Sequence, residues 1–341
     1  MKSRQLNIIR VIAAFILLAG WHGSKAEPVS AADYPDRIIT WIIGTTPGGG
    51  YDLGARNIAR FLPNHLPKKA TIVLQNKPGA GQMIAVHTLW AAKPDGYTVC
   101  SFNSTGALMA KFVRPGEIKF DVTKFEYLGM WQEDTRAIGI SKFLKVKTWQ
   151  DFVARSKEKP ILVGTGGAGT SQHIDPLMIE AVSDLNFKYI HYPGSSQTAP
   201  AMGRNEVEME VAQVATTEQL NDNGLGRTFC VLSKERSPFA PDVPTALEVG
   251  MPEEQFQKLM DAPFFGATRV IAAPPGTDPE IVKILRKAMW DTFTDPKYLE
   301  QLEILKGDNN PLSGEEYQKV IVRKLKAAQE NQKMIDVIKI P

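Results

Sequence analysis

The chain has 341 residues, 43% of them hydrophobic, and a formal net charge of +3. This length is enough for two ordinary domains. The nearly neutral charge argues against a nucleic-acid-binding protein, which concentrates basic residues on one face. The two cysteines, Cys100 and Cys230, lie in apolar strand-like runs. Outside the cytoplasm such a pair can form a disulfide, so a bridge and two buried thiols both remain open.

The N-terminal 32 residues have the pattern of a cleaved secretory signal. A basic start precedes the apolar run VIAAFILLAG at 11–20, and small residues follow it. The run is too short to span a bilayer, which needs about 20 residues. We therefore predict a signal peptide over 1–32, cut after Ala26 or after Ala32, and an exported protein.

Strand and helix signals alternate along the rest of the chain, which predicts an α/β protein with largely parallel sheets. Thr148 is the expected cap of one helix, and the segment from 104 to about 130 has no regular pattern. We expect strands at 37–44, 70–76, 97–103, 160–164, 187–192, 207–214 and 227–233, and helices at 53–62, 82–92, 148–157, 174–183, 196–203, 278–293, 296–305 and 313–335.

A strand, a glycine-rich turn and a helix follow one another twice, at 38–60 and at 161–183. The turns read TTPGGGYD and TGGAGTSQH. Such turns present backbone N–H groups at a helix N-terminus, where anions bind. If the two units belong to different domains, their helix ends face each other across a cleft, the usual ligand site of α/β proteins.

Asp52 begins the helix after the first turn, where its carboxylate can cap backbone N–H groups and orient the loop. We prefer this scaffold role to direct contact with a ligand, which remains the alternative. Arg56 follows at the i,i+4 spacing of a local salt bridge.

Enzyme and cofactor motifs are not supported. GTGGAG at 164–169 fits G-x-G-x-x-G, but Asp184 precedes the next strand instead of ending it. The first turn lacks the lysine of a P-loop, no G-x-S-x-G elbow exists, and the histidines and cysteines lack metal-site spacing. We expect no cofactor, no metal and no enzymatic activity. An exported hydrolase that uses His173 or His191 with a nearby serine is the least favoured alternative.

Eight segments resemble, in order, motifs of the substrate-binding proteins of tripartite tricarboxylate transporters, the Bug family. In this chain they read YPDR, PGGGYDLGAR, VLQNKPGAGQ, AKPDGYTV, GTGGAGTSQH, HYPGSSQTAPAM, ERSPFAPDVPTALEVGMP and APPGTDPEIVKILRKAM.

The resemblance implies a two-domain periplasmic binding protein fold, in which each domain is a largely parallel sheet flanked by helices and the ligand cleft lies between them. Domain 1 would comprise 33–131 and 256–341, and domain 2 would comprise 132–255. The implied function is a monomeric periplasmic receptor that captures a small organic carboxylate and delivers it to the integral-membrane subunits of a tripartite tricarboxylate transporter. A receptor of the same fold that signals to a membrane partner is the alternative.

The same resemblance implies the ligand-binding residues, with Ser104 and Thr105 as additions after the third strand. Where the family often has an aspartate, in a VDLMFDN stretch, this chain has Ala212 and Gln213 within VEMEVAQV, which argues for a less polar or larger distal group. Tyr51 would add an aromatic wall or pack on the neighbouring helix. The residues carried over from the three loops are Thr46, Pro47, Gly48, Gly49 and Asp52; Thr165, Gly167, Thr170, Ser171 and His173; and Ser195, Ser196 and Ala199.

Overall fold

The computed structural model describes residues 32–305 and 310–330. The predicted signal peptide, apart from its last residue, and the end of the helix expected at 313–335 lie outside the described residues. Within them, none of the helices is long and apolar enough to cross a membrane.

The first sheet has six strands in the order β11-β4-β10-β3-β1-β2. β1 pairs in parallel with β2 and β3, whereas β10 is antiparallel to β3 and β4, and β11 is antiparallel to β4. The strands are β1 (Ile39–Ile43), β2 (Ile72–Asn76), β3 (Thr98–Asn103), β4 (Glu126–Glu133), β10 (Thr268–Ala273) and β11 (Leu312–Ser313).

The second sheet has five strands in the order β7-β6-β8-β5-β9. β6 pairs in parallel with β7 and β8, and β5 is antiparallel to β8 and β9. The strands are β5 (Arg136–Ser141), β6 (Ile161–Thr165), β7 (Phe187–His191), β8 (Met209–Gln213) and β9 (Gly226–Val231).

Helices connect and flank the strands of both sheets. Thr148 caps one of them as predicted, because its side chain accepts from the Asp151 N–H in a complete capping box. The helices are α1 (Gly50–Phe61), α2 (Met83–Trp90), α3 (Ser104–Val113), α4 (Trp149–Glu158), α5 (Ser171–Val182), α6 (Thr198–Gly203), α7 (Val214–Asp222), α8 (Glu253–Met260), α9 (Pro279–Phe293), α10 (Pro296–Ile304) and α11 (Gly314–Glu330).

The α/β class and the two sheets with flanking helices are confirmed, but the expectation of largely parallel sheets is wrong in detail. Each sheet is mixed. Every antiparallel pair includes β11 or one of the strands next to the two points where the chain changes sheets, which are β4, β5, β9 and β10. β4 in the first sheet is followed after two residues, Asp134 and Thr135, by β5 in the second. The chain returns to the first sheet between β9 and β10. The predicted domain boundary between 255 and 256 falls within α8, and the domain limits stay a prediction.

The segment expected to be irregular up to about 130 instead forms α3 and the start of β4. Residues 104–110 of α3 are all buried, so the helix has no polar face and its sequence lacks an amphipathic period. β5 is likewise buried along its whole length. Elements buried on all sides give no alternation by which sequence reasoning detects them.

Cys100 and Cys230 lie in β3 and β9, in different sheets, and both are buried free thiols. Burial raises the pKa of both thiols, which keeps them protonated and unreactive. Of the two possibilities left open by the sequence, the structure shows the buried thiols.

Candidate functional site

A cavity of about 410 Å³ lies where loops of the two sheets face each other. One wall comes from the turns after β1 and β2, and the other from the turns after β6, β7 and β8. The lining residues are 44–46, 49–51, 78–82, 166–168, 170–172, 192–195, Arg114, Asp134, Arg136, Ala212, Gln213, Thr216 and Arg269.

The first glycine turn leads into α1, whose first residues, Gly50 and Tyr51, line the cavity. Asp52 is buried and supports the turn from behind. Its carboxylate accepts hydrogen bonds from the Gly48 N–H, from Arg56 Nε and from Asn76 Nδ2, each at 2.9 Å. Burial by itself raises the pKa of Asp52, but these bonds outweigh it and the pKa is lowered. Asp52 is therefore a charged scaffold of the loop, and its predicted salt bridge with Arg56 is present.

The second glycine turn leads into α5 and is supported by a neutral side chain. His173 Nδ1 accepts a hydrogen bond of 3.1 Å from the Gly169 N–H, and Thr170 Oγ1 donates to the Gly167 carbonyl at 2.8 Å. Burial, the adjacent His191 and Arg114 lower the pKa of His173 to about 4. The imidazole is thus uncharged at neutral pH and acts as an acceptor.

The two imidazoles stack edge to face, with ring centroids 4.6 Å apart. His191 Nδ1 bonds the Thr165 hydroxyl at 2.6 Å. The hydrogen bonds of both rings therefore go to the second turn and to Thr165. The described residues show no bond from either ring to a serine, so the geometry gives the hydrolase alternative no support.

Helices α1 and α5 begin in the same way at opposite walls. Their N-cap residues, Gly49 and Thr170, have identical backbone angles (φ −76°, ψ 162°), and in the described structure neither gives the helix a side-chain cap. The first-turn N–H groups of a helix have no intrahelical acceptor. Two helix N-termini without side-chain caps therefore open onto one cavity.

Charged side chains lie at the floor of the cavity, where the chain crosses between the sheets. Arg269 donates to Asp134 at 2.9 Å, and its guanidinium lies 4.8 Å from the centre of the Tyr51 ring. Arg136 Nε donates to Asp175 at 2.6 Å, and its Nη2 donates to a backbone carbonyl at 3.0 Å. All four charged residues are buried, so the ion pairs are shielded from solvent.

Sequence reasoning missed this charged floor. The available signal was a charged residue inside or beside an otherwise apolar strand: Asp134 directly after β4, Arg136 at the start of β5, and Arg269 within β10. Nothing in the local pattern indicated that segments more than 130 residues apart, as in the Arg269–Asp134 bond, would meet.

Tyr51 forms an aromatic wall, the first of the two roles that the sequence left open, and the ring it packs against belongs to strand β4, not to a neighbouring helix. Its ring lines the cavity and packs edge-on against Trp131, with centroids 6.0 Å apart. Its hydroxyl is buried and has no hydrogen-bond partner among the described residues, and the same holds for Thr45 Oγ1 and Gln172 Oε1. Buried polar atoms without partners are rare in native proteins, so these three atoms mark positions where a bound molecule or water would complete the site.

Six of the predicted residues line the cavity: Thr46, Gly49, Gly167, Thr170, Ser171 and Ser195. Seven others belong to the same three loops but lie behind or beside the wall: Pro47, Gly48, Asp52, Thr165, His173, Ser196 and Ala199.

Ser104 and Thr105 lie apart from the cavity. Ser104 is hydrogen-bonded to the Tyr317 hydroxyl, and Thr105 bonds Thr268 at 3.0 Å and Lys324 at 3.2 Å. Helix α11 therefore covers the end of β3, and both hydroxyls are used in packing.

The two walls touch at the edge of the cavity. Gly81 has φ +64°, and a Cβ added there would lie 3.0 Å from the carbonyl carbon of Gly169 and 3.2 Å from the carbonyl oxygen of Ala168. Only glycine allows this backbone to approach so closely in that conformation. The turn after β2 thus rests directly on the second glycine turn.

Comparisons with known proteins agree with this geometry. The model of the tripartite tricarboxylate transporter family receptor matches residues 55–339. Protein BugT of Bordetella pertussis is 28% identical over 285 residues, which cover 82% of each chain. A protein from the gbd 5′ region of Cupriavidus necator has the same identity and coverage.

Solved structures show the same fold. The periplasmic binding protein BugD superposes with a TM-score of 0.76 at 23% identity. Rpa4515 of R. palustris with adipate gives 0.77 at 20%, and MatC of Rhodopseudomonas palustris with bound malate gives 0.73 at 23%. Each comparison covers 89% of this chain and 99% of the other. The fold is that of periplasmic binding proteins, and the chain belongs to the family of tripartite tricarboxylate transporter receptors.

Proposed function

We propose that this protein is a periplasmic receptor that holds a small organic carboxylate in the cavity between its two sheets and delivers it to the membrane subunits of a tripartite tricarboxylate transporter. Membership of the receptor family supports the transport role. Two proteins of the same fold hold adipate and malate, which supports a carboxylate as the ligand.

The observation that carries the proposal is the meeting of two helix N-termini without side-chain caps at one cavity. Each N-terminus presents unpaired N–H groups and the positive end of a helix dipole, equivalent to roughly half an elementary charge. A carboxylate placed between Gly50 and Ser171 would accept from both first turns. The guanidinium groups of Arg136 and Arg269 add positive potential at the floor.

The rest of the lining suits the carbon skeleton of an organic acid. The Tyr51 ring and Ala212 provide apolar surface, and a cavity of about 410 Å³ is within the range of small-molecule sites. Gln213 lines the same region, but its amide already donates to Asp134 at 2.6 Å. The part of the cavity near Ala212 and Gln213 therefore offers apolar contact and few free hydrogen-bond donors.

Thermal unfolding of the purified exported protein tests ligand capture. The panel would contain acetate, succinate, malate, adipate, citrate and benzoate, with glucose and ethanolamine as non-acidic compounds. A ligand at 100 times its Kd adds about 2.7 kcal/mol to the free energy of unfolding. For a chain of this size the midpoint rises roughly 2–4 °C per kcal/mol, so we expect a shift of several degrees with at least one acid.

Ser171→Asp is the test variant, because it places a carboxylate in the first turn of α5 at the cavity. Ser183→Asp is its matched control, since Ser183 ends the same helix outside the cavity lining. The acid-dependent shift should disappear in the first variant and persist in the second. A panel in which only glucose or ethanolamine stabilises the protein would overturn the carboxylate assignment.

Delivery is tested separately, by uptake of the labelled acid into cells with and without the receptor. Uptake that depends on the receptor supports transport. Binding of the acid together with unchanged uptake in cells lacking the receptor would favour the sensing alternative.

A further inference from the structure

A buried carboxyl group, Glu210, lies directly behind the cavity wall. It sits in β8 opposite Gly139 of β5 and is fully buried. Its Oε2 contacts the Thr198 hydroxyl and, at 3.4 Å, Gln172 Nε2.

Both partners of Glu210 belong to the wall of the cavity. Gln172 is in the first turn of α5 and lines the cavity. Thr198 begins α6, and its Oγ1 also donates to the Ser195 carbonyl oxygen at 2.8 Å. Ser195 lines the cavity in the third loop. Glu210 thus connects the second and third loops from behind.

The number of hydrogens in this network depends on the protonation of Glu210. The Thr198 hydroxyl has one hydrogen but faces two acceptors, the Ser195 carbonyl and Glu210 Oε2. If Glu210 is ionised, one of the two contacts has no hydrogen. If Glu210 is protonated, its O–H donates to Thr198, which donates to Ser195, and both contacts are made.

The second carboxyl oxygen of Glu210, Oε1, also indicates that the carboxyl group is protonated. Glu210 Oε1 is buried without a hydrogen-bond partner in the described part of the chain. An ionised carboxylate with an unpartnered buried oxygen is costly, whereas the neutral acid needs fewer partners. Burial raises the pKa of Glu210 to about 7, against the opposing effects of Thr198 and Arg136.

We propose that Glu210 is a proton-linked positioning residue, whose bound proton completes the chain Glu210–Thr198–Ser195 and so holds the second and third loops in the arrangement that receives the ligand. The inference rests on the proposed function for the sign of the ligand charge. An anion in the cavity disfavours a second negative charge behind the wall. Ligand binding and proton uptake by Glu210 therefore strengthen each other by the same factor.

Other charged and titratable groups lie on β5, α5, β7 and α7, the elements around the strand that carries Glu210. From β5, Arg136 is held by Asp175, and from α5, Glu180 accepts from Tyr189. Burial lowers the pKa of both His173, to about 4, and His191. On α7, which packs on the same strand, Glu218 accepts from the Thr228 hydroxyl and Asp222 ends the helix.

The first test needs no ligand. Carbon-13 NMR of glutamate side chains would follow Glu210 with pH, assigned by its absence in Glu210→Gln, while nitrogen-15 spectra follow the Ser195 backbone and the Gln172 side-chain amide. We expect Glu210 to titrate near pH 7 and the two amide signals to move with the same midpoint. In Glu210→Gln these movements should be absent. Amide signals that do not follow Glu210, or that move equally in Glu210→Gln, would overturn the proposal.

The second test measures linkage to binding with malate, adipate and citrate as probes. Calorimetry in two buffers of different ionisation enthalpy should show proton uptake on binding at pH values between the pKa of Glu210 in the free protein and its higher pKa in the complex, and none well below pH 7. Affinity should fall by up to tenfold per pH unit above about pH 7. Glu210→Gln should bind with no such pH dependence.

Glu210→Met controls for packing, because it keeps a side chain of similar size without hydrogen bonds. It should bind more weakly than Glu210→Gln and also without pH dependence. If none of the three acids binds at any pH, the proposed carboxylate function is in question, and the ligand-free titration still decides the role of Glu210. Binding without proton uptake in the wild type would overturn the linkage alone.

Discussion

The two glycine turns present nearly the same backbone to the cavity but are held by different chemistry. Both lead into helices without side-chain caps, with identical N-cap angles. The first turn is organised around the negative charge of Asp52, the second around the neutral imidazole of His173. One geometry for holding an anion can therefore be built on a charged or an uncharged support, and the two supports should respond differently to mutation and pH.

The largest difference expected between the two walls comes from Asp175 on α5. It accepts from Arg136 at 2.6 Å and from the Gly266 N–H at 2.9 Å, and it is fully buried. Asp175→Ala leaves a buried guanidinium partly uncompensated and should lower the free energy of unfolding by about 3–5 kcal/mol. Urea denaturation would measure the loss. The double variant with Arg136→Met should be more stable than Asp175→Ala alone, and equal or greater damage would contradict the ion-pair explanation.

The pH dependence of stability tests the protonation of Glu210, a buried acid of the second wall. Its pKa is raised from 4.5 to about 7, so the folded protein binds more protons than the unfolded chain between these values. This contribution is fully present below about pH 4.5 and is lost as pH rises to about 7, by about 3 kcal/mol at about 1.36 kcal/mol per pKa unit. Urea denaturation across this pH range should show a fall in the free energy of unfolding of the wild type that is absent in Glu210→Gln. A fall of equal size in the variant would assign it to another group.

Removal of the charged support should damage the first turn moderately. Asp52→Ala deprives the Gly48 N–H and the Asn76 amide of their acceptor, and we expect a loss of about 2 kcal/mol. Because the pKa of Asp52 is lowered, its contribution is present at neutral pH and disappears as pH falls through the acidic range. Arg56→Met should cost less, since the Arg56 side chain is 46% exposed. Equal losses would mean that the salt bridge, and not the loop bonds, supports the turn.

Removal of the neutral support, His173, should have the smallest effect on the free energy of unfolding. His173→Phe keeps the ring but removes the acceptor of the Gly169 N–H, and we expect a loss of about 1 kcal/mol at neutral pH. The lowered pKa of His173 means that the unfolded chain binds more protons between pH 6.5 and about 4. Wild-type stability should fall as pH drops through that window, and His173→Phe should show a smaller fall. If the stability of His173→Phe falls as much as that of the wild type in this pH window, His173 is not the titrating group.

The sequence was sufficient for the parts of the site that depend on local chemistry. Glycine-rich turns between a strand and a helix are recognised from neighbouring residues, so the sequence predicts both turns. The helices after them begin at Gly50 and Ser171, about three residues earlier than the sequence predicts, and Ser171 as a ligand residue comes from the family resemblance. The charged floor was not predictable in this way, because Arg269 meets Asp134 only through the pairing of β10 with β4. Ser104 resembles a cleft residue in sequence. Only the position of α11 shows that Tyr317 occupies its hydroxyl.

The contact between Gly81 and Gly169 has a consequence for how tightly the receptor holds its cargo. Where these two turns meet, backbone lies against backbone, so bringing the walls together there restricts no rotamers and covers little apolar surface. This backbone contact by itself therefore contributes little free energy to holding the two walls together. Contact between the two walls would then depend mainly on the molecule bound between them.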